Sequence, residues 1–409
     1  MRRDCGHTGD VPYLPRWLQR LAAAPLLASP FRPFYLLGAL YAPLLAAGGA
    51  GAFFGFVDLQ ESGGPVLWHG HEMVFGFTVA IVVGTLLTAL PSWAGMPETG
   101  AVPTALLVAA WLLGRAGFWA APWLPAPAVA AADLLLWPLL VGWIAPPLWR
   151  VPNRLYRLLL PILLALAAAS LAYHACVQSG DVAGAQRALH AAVWALVVLF
   201  TLKGGLLTPV FTGTALQALG RGTAVRASMP LEAASLASLV ALAAADVCAA
   251  PPRIVGALAL ACAATQGVRV ARWRGWRIAD QPLLLGMHLG FAWLLFALLL
   301  VAAAGLGAPL PAAAWLHAFT VGALGLMMLS LMTRVALRHT GRALDVPPLL
   351  IAAGALVFAA ATLRLAAAVH GLSPQLVALA ALLWAAAFAA YLLQFGAVLV
   401  APSLPRERG

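Results

Sequence analysis

The sequence predicts an all-α polytopic membrane protein with twelve transmembrane helices and both termini cytoplasmic. Three observations carry that prediction. Of 409 residues, 63% are hydrophobic and only 9% charged, with a mean hydropathy of +0.93, a composition that a water-facing surface does not have. Twelve apolar stretches, each about the 20 residues that cross a bilayer, account for most of the chain and leave connections too short for a sizeable extramembrane domain. The basic residues, finally, alternate between the connections.

The spans read 34–57, 67–90, 103–120, 126–148, 155–175, 188–210, 231–250, 252–269, 282–306, 312–334, 348–370 and 375–400. Asp246, Pro251, Pro252 and Arg253 are expected to turn the chain between the seventh and eighth. With an inner N-terminus, the inner segments hold Arg2, Arg3, Arg16, Arg20 and Arg32, then Arg150, Arg154 and Arg157, then Arg221 and Arg226. Arg269, Arg272, Arg274 and Arg277 follow, then Arg334, Arg338 and Arg342, and lastly Arg406 and Arg408. That places 19 basic residues inside against two outside, Arg187 and Arg253. A missing or extra span would scramble the alternation, so the positive-inside rule supports the even count. The domains follow: a basic cytoplasmic leader over 1–33, one twelve-helix domain over 34–400 and a cytoplasmic tail over 401–409.

The formal charge of +11 belongs to these loops rather than to a nucleic-acid surface. Cys5, Cys176, Cys248 and Cys262 form no CxxC or CxxCH pattern, which leaves disulfide frameworks, iron–sulfur sites and c-type haem attachment without support. Residues 1–30, with four arginines and prolines at 12, 15, 25 and 30, read as cytosolic rather than as a cleaved signal.

The histidines sort by depth. His69 and His71 open span 2 at its outer end, His174 closes span 5 there, and His190 opens span 6 there. His317 lies about one turn into span 10, and His370 closes span 11 on the same side. His7 is in the leader, His288 in the inner half of span 9 and His339 in the inner loop after span 10. Glu72, Asp133, Arg115 and Arg364 fall in the outer parts of spans 2, 4, 3 and 11, and charges of both signs at one depth need partners. Carboxylate contacts to histidine suit Glu72 and Asp133, haem propionates suit the arginines, and internal salt bridges serve both. Glu72 and Asp133 are the catalytic candidates; His69, His71, His190, His317, His174 and His370 are the metal-ligand candidates.

On span 2 the run is Trp68-His69-Gly70-His71-Glu72-Met73. Positions i and i+2 of a helix point about 200° apart. Either the two histidines address two sites, or Gly70 lets the backbone depart from helix and bring both rings to one copper or iron site. His69, His190 and His317 stand near the outer starts of spans 2, 6 and 10, at separations of 121 and 127 residues. Gly84-Thr85-Leu86-Leu87-Thr88 and Gly204-Gly205-Leu206-Leu207-Thr208 also match, each with a proline soon after. This spacing suggests three four-helix units around a pseudo-three-fold axis.

At the inner end, Arg334, Arg338, His339 and Arg342 gather below span 10, with Lys203 toward the inner end of span 6. A positive-inside loop explains the arginines but not Lys203; an anionic ligand, a lipid head group or haem propionates would explain more. Arg115, Lys203, Arg334, Arg364, His288 and His339 are therefore the cofactor-binding candidates.

The block Trp68-His69-Gly70-His71-Glu72-Met73-Val74-Phe75-Gly76-Phe77, with Leu86-Leu87-Thr88-Ala89 and Trp93-Ala94-Gly95, resembles the NnrS family, as do His317, Gly322, Gly325 and Met332-Thr333-Arg334-Val335-Ala336-Leu337-Arg338-His339-Thr340-Gly341-Arg342. The resemblance covers roughly residues 30–400. Leu206 stands where the family usually has arginine after paired glycines, and Arg338 where it more often has glycine. The resemblance implies a bacterial inner-membrane protein with b-type haem and copper, active in the response to nitric oxide and nitrosative stress. The histidines of spans 2, 6 and 10 also invite comparison with haem-copper oxidases, although the tandem His-His of that superfamily is absent. Two classes of function stay open. One is a nitric oxide-directed oxidoreductase or binding protein, fed by quinone or a periplasmic donor; the other is a transporter or a haem- or copper-handling protein.

Overall fold

The computed structural model describes residues 23–56, 64–222, 228–371 and 373–405. The leader up to residue 22, Asp58 and Glu61 of the first connection, Arg226, and Arg406 and Arg408 lie outside the described residues. Among the described residues there is no strand, and twelve helices are long and apolar enough to cross a membrane. They are α1 (Phe31–Phe53), α2 (Pro65–Ala94), α3 (Ala101–Trp119), α4 (Ala126–Arg150), α5 (Arg154–Gln178) and α6 (Val182–Ala218). α7 (Met229–Val247), α8 (Pro252–Arg272), α9 (Pro282–Gly305), α10 (Ala312–His339), α11 (Pro348–Val369) and α12 (Pro374–Val400) complete the set. Proline in the first turn starts many of them, where its missing N–H costs no bond.

The helices differ in how much lipid-facing surface they keep. In their most apolar windows α2, α6 and α10 are 78, 72 and 67% buried, against 17–50% in the other nine. These three form the centre and touch one another. Gly70 of α2 meets Leu189 of α6, Trp194 of α6 stacks on Trp315 of α10 at 4.8 Å, and α2 packs on α10. They also exceed their expected lengths: α6 runs from 182 to 218 rather than 188 to 210. A bilayer-thickness window ends where apolar residues thin out, whereas a helix packed against protein continues past the hydrocarbon. Asp246 belongs to α7 rather than to the turn after it, because its carboxylate finds partners on α6.

Each central helix carries one π-helical stretch: Glu72–Thr78 in α2, Phe200–Gly204 in α6 and Ala318–Leu324 in α10. π turns loosen the regular ladder and frequently mark functional sites. In α2 and α6 an outside donor takes a carbonyl of the stretch. Trp111 Nε1 donates to Gly76 O at 3.0 Å, and Arg269 Nη1 donates to Thr201 O at 3.2 Å. Arg269, which reads in the sequence as a loop charge, is buried and also pairs with Glu232 of α7.

Arg32 is likewise no leader residue. It is buried in the first turn of α1 and donates from Nη1 to the carbonyls of Leu399 at 2.9 Å and Ala401 at 2.6 Å, and from Nη2 to Ser403 Oγ at 2.8 Å. A guanidinium at a helix C-terminus satisfies carbonyls that have no intrahelical partner. Thus α1 and α12 are fastened together.

Candidate metal sites at the histidine end

α2 is regular helix through His71, so His69 and His71 leave it on different sides. His71 turns toward α3, α4 and α5. Its Nδ1 lies 2.9 Å from Glu72 Oε1 and its Nε2 lies 3.2 Å from Asp133 Oδ2. His174 of α5 brings its Nε2 to the same oxygen at 2.9 Å, and Ser170 Oγ donates to it at 3.2 Å. Arg115 of α3 divides its two terminal nitrogens between Glu72 and Asp133. Tyr41 of α1 donates to Glu72 and accepts from Trp119 Nε1 at 2.8 Å. Every one of these side chains except Trp119 is buried, and His71 and Glu72 are fully so.

Packing fixes the imidazole as firmly as the hydrogen bonds do. The His71 ring stacks on Phe118 at 4.1 Å and 3°, with Tyr173 at 4.5 Å. Gly76 is required by closeness rather than by conformation. A Cβ there would come within 2.8 Å of the Tyr41 ring and 3.1 Å of Arg115 Nη1.

The chemistry of this cluster follows from its donors and its charge. His71, Asp133 and His174 offer ligand atoms that all lie within 4.8 Å of one another. Bonds of about 2.0–2.1 Å to one ion would put neighbouring ligand atoms roughly 2.8–3.4 Å apart, and the N···O separations of 3.2 and 2.9 Å fall in that range. With both carboxylates ionised and Arg115 positive, the cluster carries one net negative charge. A single proton on the imidazoles or one monovalent cation cancels it.

His69 faces the other way. It lies against Gly49 of α1, where a Cβ would be 3.1 Å from its Nδ1, and it stands within Coulombic range of Arg364 of α11. His317 of α10 is within the same range of both Arg364 and His69. Ala313 O accepts from His317 Nδ1 at 2.7 Å, which leaves the Nε2 lone pair for a ligand. Arg364 keeps a buried Nη1 with no hydrogen-bond acceptor. His190 belongs to neither group. Its Nε2 lies 2.6 Å from Asp246 Oδ2, which also accepts from Trp194 Nε1 at 2.8 Å.

The remaining sequence candidates are dispersed. His370 is exposed at the end of α11. His288 is 2.9 Å from Thr212 Oγ1 and lies against Trp273, and the His339 ring lies 5.7 Å from that of Phe31. Arg334 sits 3.8 Å above the Phe211 ring, and Lys203 sits between Tyr156 and Trp93. Tyr41, Ser170 and Trp111 take part in the α2 environment without having stood out in the sequence, where they look like ordinary membrane-helix residues.

No curated protein matches the chain. A family profile described as NnrS protein matches residues 25–403, nearly its whole length, and the chain belongs to that family.

Proposed function

We propose that this protein holds haem and copper in the bacterial inner membrane, binds or redox-converts nitric oxide there, and protects against nitrosative stress. One observation carries the reading. Two histidines two positions apart on α2 leave on different sides: His71 shares Asp133 with His174, whereas His69 lies against α1 and, like His317, interacts electrostatically with Arg364. Two separate sites at one end of the bundle are what two different metal groups need.

The residues fit those groups. Two imidazole nitrogens and a carboxylate oxygen converging on one point form a donor set that copper accepts. His69 and His317 are the ligands assigned to haem iron, and the unaccepted Arg364 Nη1 is the donor for a propionate. When bound, haem iron and reduced copper supply the affinity for nitric oxide and the capacity to pass electrons. The chain's own residues do the positioning. Arg115 fixes both carboxylates, Glu72 Oε1 orients His71 through Nδ1, and Phe118 and Tyr173 hold the ring plane.

The arginine-rich connections belong on the cytoplasmic side by the positive-inside rule, which puts both termini there and the histidine end at the periplasmic face. The presence of one π stretch in each of α2, α6 and α10 favours the pseudo-three-fold arrangement. Elemental analysis and absorption spectra of purified protein test the reading. Haem and copper near one per chain, with a Soret shift on adding nitric oxide to reduced protein, are expected. Protein free of both, and silent to nitric oxide, contradicts it.

A further inference from the structure

Lys203 is a cation that pairs with no carboxylate among the described residues. It is 8% exposed, and none of the ion pairs among the described residues includes it. Its Nζ lies 4.5 Å from the ring centroid of Tyr156 and 5.3 Å from that of Trp93. Ring faces attract an ammonium, but more weakly than water or a counter-anion does, so the charge remains undercompensated.

Depth identifies what can reach it. Tyr156 is in the first turns of α5 and Trp93 in the last turn of α2, so the ammonium stands level with the ends of two membrane helices, where lipid phosphates lie. The connection beside it is basic. Arg150 and Arg154 are exposed, while Arg157 donates from Nη2 to Trp149 O at 2.8 Å, lies 5.2 Å from the Trp149 ring and keeps a buried Nε with no acceptor. Glu98, in the connection after α2, is exposed and belongs to none of these ion pairs. Donors and positive charge therefore exceed acceptors throughout this corner. On its flank Trp149 and Leu155 expose large apolar surfaces, 64 and 53% accessible, of the kind that lies along acyl chains.

We propose that Lys203 and Arg157 form a binding site for the phosphate of an anionic phospholipid. Both offer N–H donors without a matching acid, a phosphodiester offers acceptor oxygens and one negative charge, and the exposed Trp149 and Leu155 favour a lipid over a free ion. Lys203 supplies the charge from within the bundle, and Arg157 supplies directional donors at its edge.

Native mass spectrometry of the full-length protein in detergent, offered equal amounts of phosphatidylglycerol and phosphatidylcholine, tests the site. The wild type is expected to retain phosphatidylglycerol preferentially. Lys203→Gln and Arg157→Gln should each lower that preference about fivefold, the effect of one basic residue at a membrane surface. Lys203→Arg should keep it, as should Arg253→Gln in the first turn of α8. Wild-type preference in a folded Lys203→Gln protein overturns the proposal, and Arg157→Gln carries the test if Lys203→Gln does not fold. Release of the retained lipid by millimolar inorganic phosphate also overturns it, since the site would then take a free ion.

Discussion

His71 and His174 meet at a single atom, Asp133 Oδ2, from which their Nε2 atoms lie 3.2 and 2.9 Å away. Three helices contribute to that point, and Arg115 holds the other oxygen of the same carboxylate. Asp133 is thus the hub of the buried cluster. Asp133→Asn keeps the shape but removes the charge that Arg115 and any bound cation require. Loss of one partner from a buried ion pair costs about 3–5 kcal/mol, so a large drop in thermal midpoint is expected. Copper content should fall with it, read by elemental analysis on whatever protein remains folded.

Glu72 contacts the same arginine but offers no ligand atom to the triad of His71, Asp133 and His174. Glu72→Gln is therefore expected to retain both metals while lowering turnover or nitric oxide tolerance, because the Nδ1 partner of His71 is weakened rather than a ligand removed. Metal analysis beside a nitric oxide survival assay separates the two effects.

Arg32 provides a stability test away from the metals. Arg32→Gln strands the carbonyls of Leu399 and Ala401 at the end of α12. About 1–3 kcal/mol is the usual cost of leaving a buried hydrogen-bonding group unsatisfied. Thermal unfolding in detergent should register it, with haem and copper content unchanged in the protein that remains folded.

Outside the spans, Arg221 Nη1 donates to Asp280 Oδ1 at 2.5 Å, and this hydrogen bond, helped by Gln281, pulls the Asp280 carboxyl down to about 2. Because the folded value is the lower one, the contribution is complete above the unfolded value of roughly 3.9 and fades as pH falls through about 2. The pair is solvated and salt-screened, so Asp280→Asn should leave the thermal midpoint at neutral pH nearly unchanged. A drop comparable with that of Asp133→Asn would contradict this ranking.

Topology is checked with reporter fusions at residues 62 and 409, which should report the periplasm and the cytoplasm respectively. The same compartment for both contradicts the charge argument.

Much of the fold was legible in the sequence because a bilayer imposes length and apolarity on every crossing. The ends of α6 and α10 were not, since protein contacts extend these helices beyond the hydrocarbon. In the sequence Arg32 and Arg269 look like loop charges, which carry no mark that a helix end or a π turn will present carbonyls to them. Six of the nine histidines could be placed at one end by counting spans. Their partners could not, because the meeting of His71 with His174, and the placing of His69 against α1, depends on how separate helices are arranged in space. The 200° divergence of His69 and His71 was calculable, but which helix stands on each side was not.

The central claim is that α2 serves two metal groups through two histidines. Haem absorbance and copper content measured together in His69→Ala, His317→Ala, His71→Ala and His174→Ala test it most directly. The account predicts two pairs: loss or conversion of the Soret band with copper retained for His69 and His317, and loss of copper with the Soret band retained for His71 and His174. If His71→Ala removes haem as His317→Ala does while His69→Ala changes neither signal, the two-site division is contradicted.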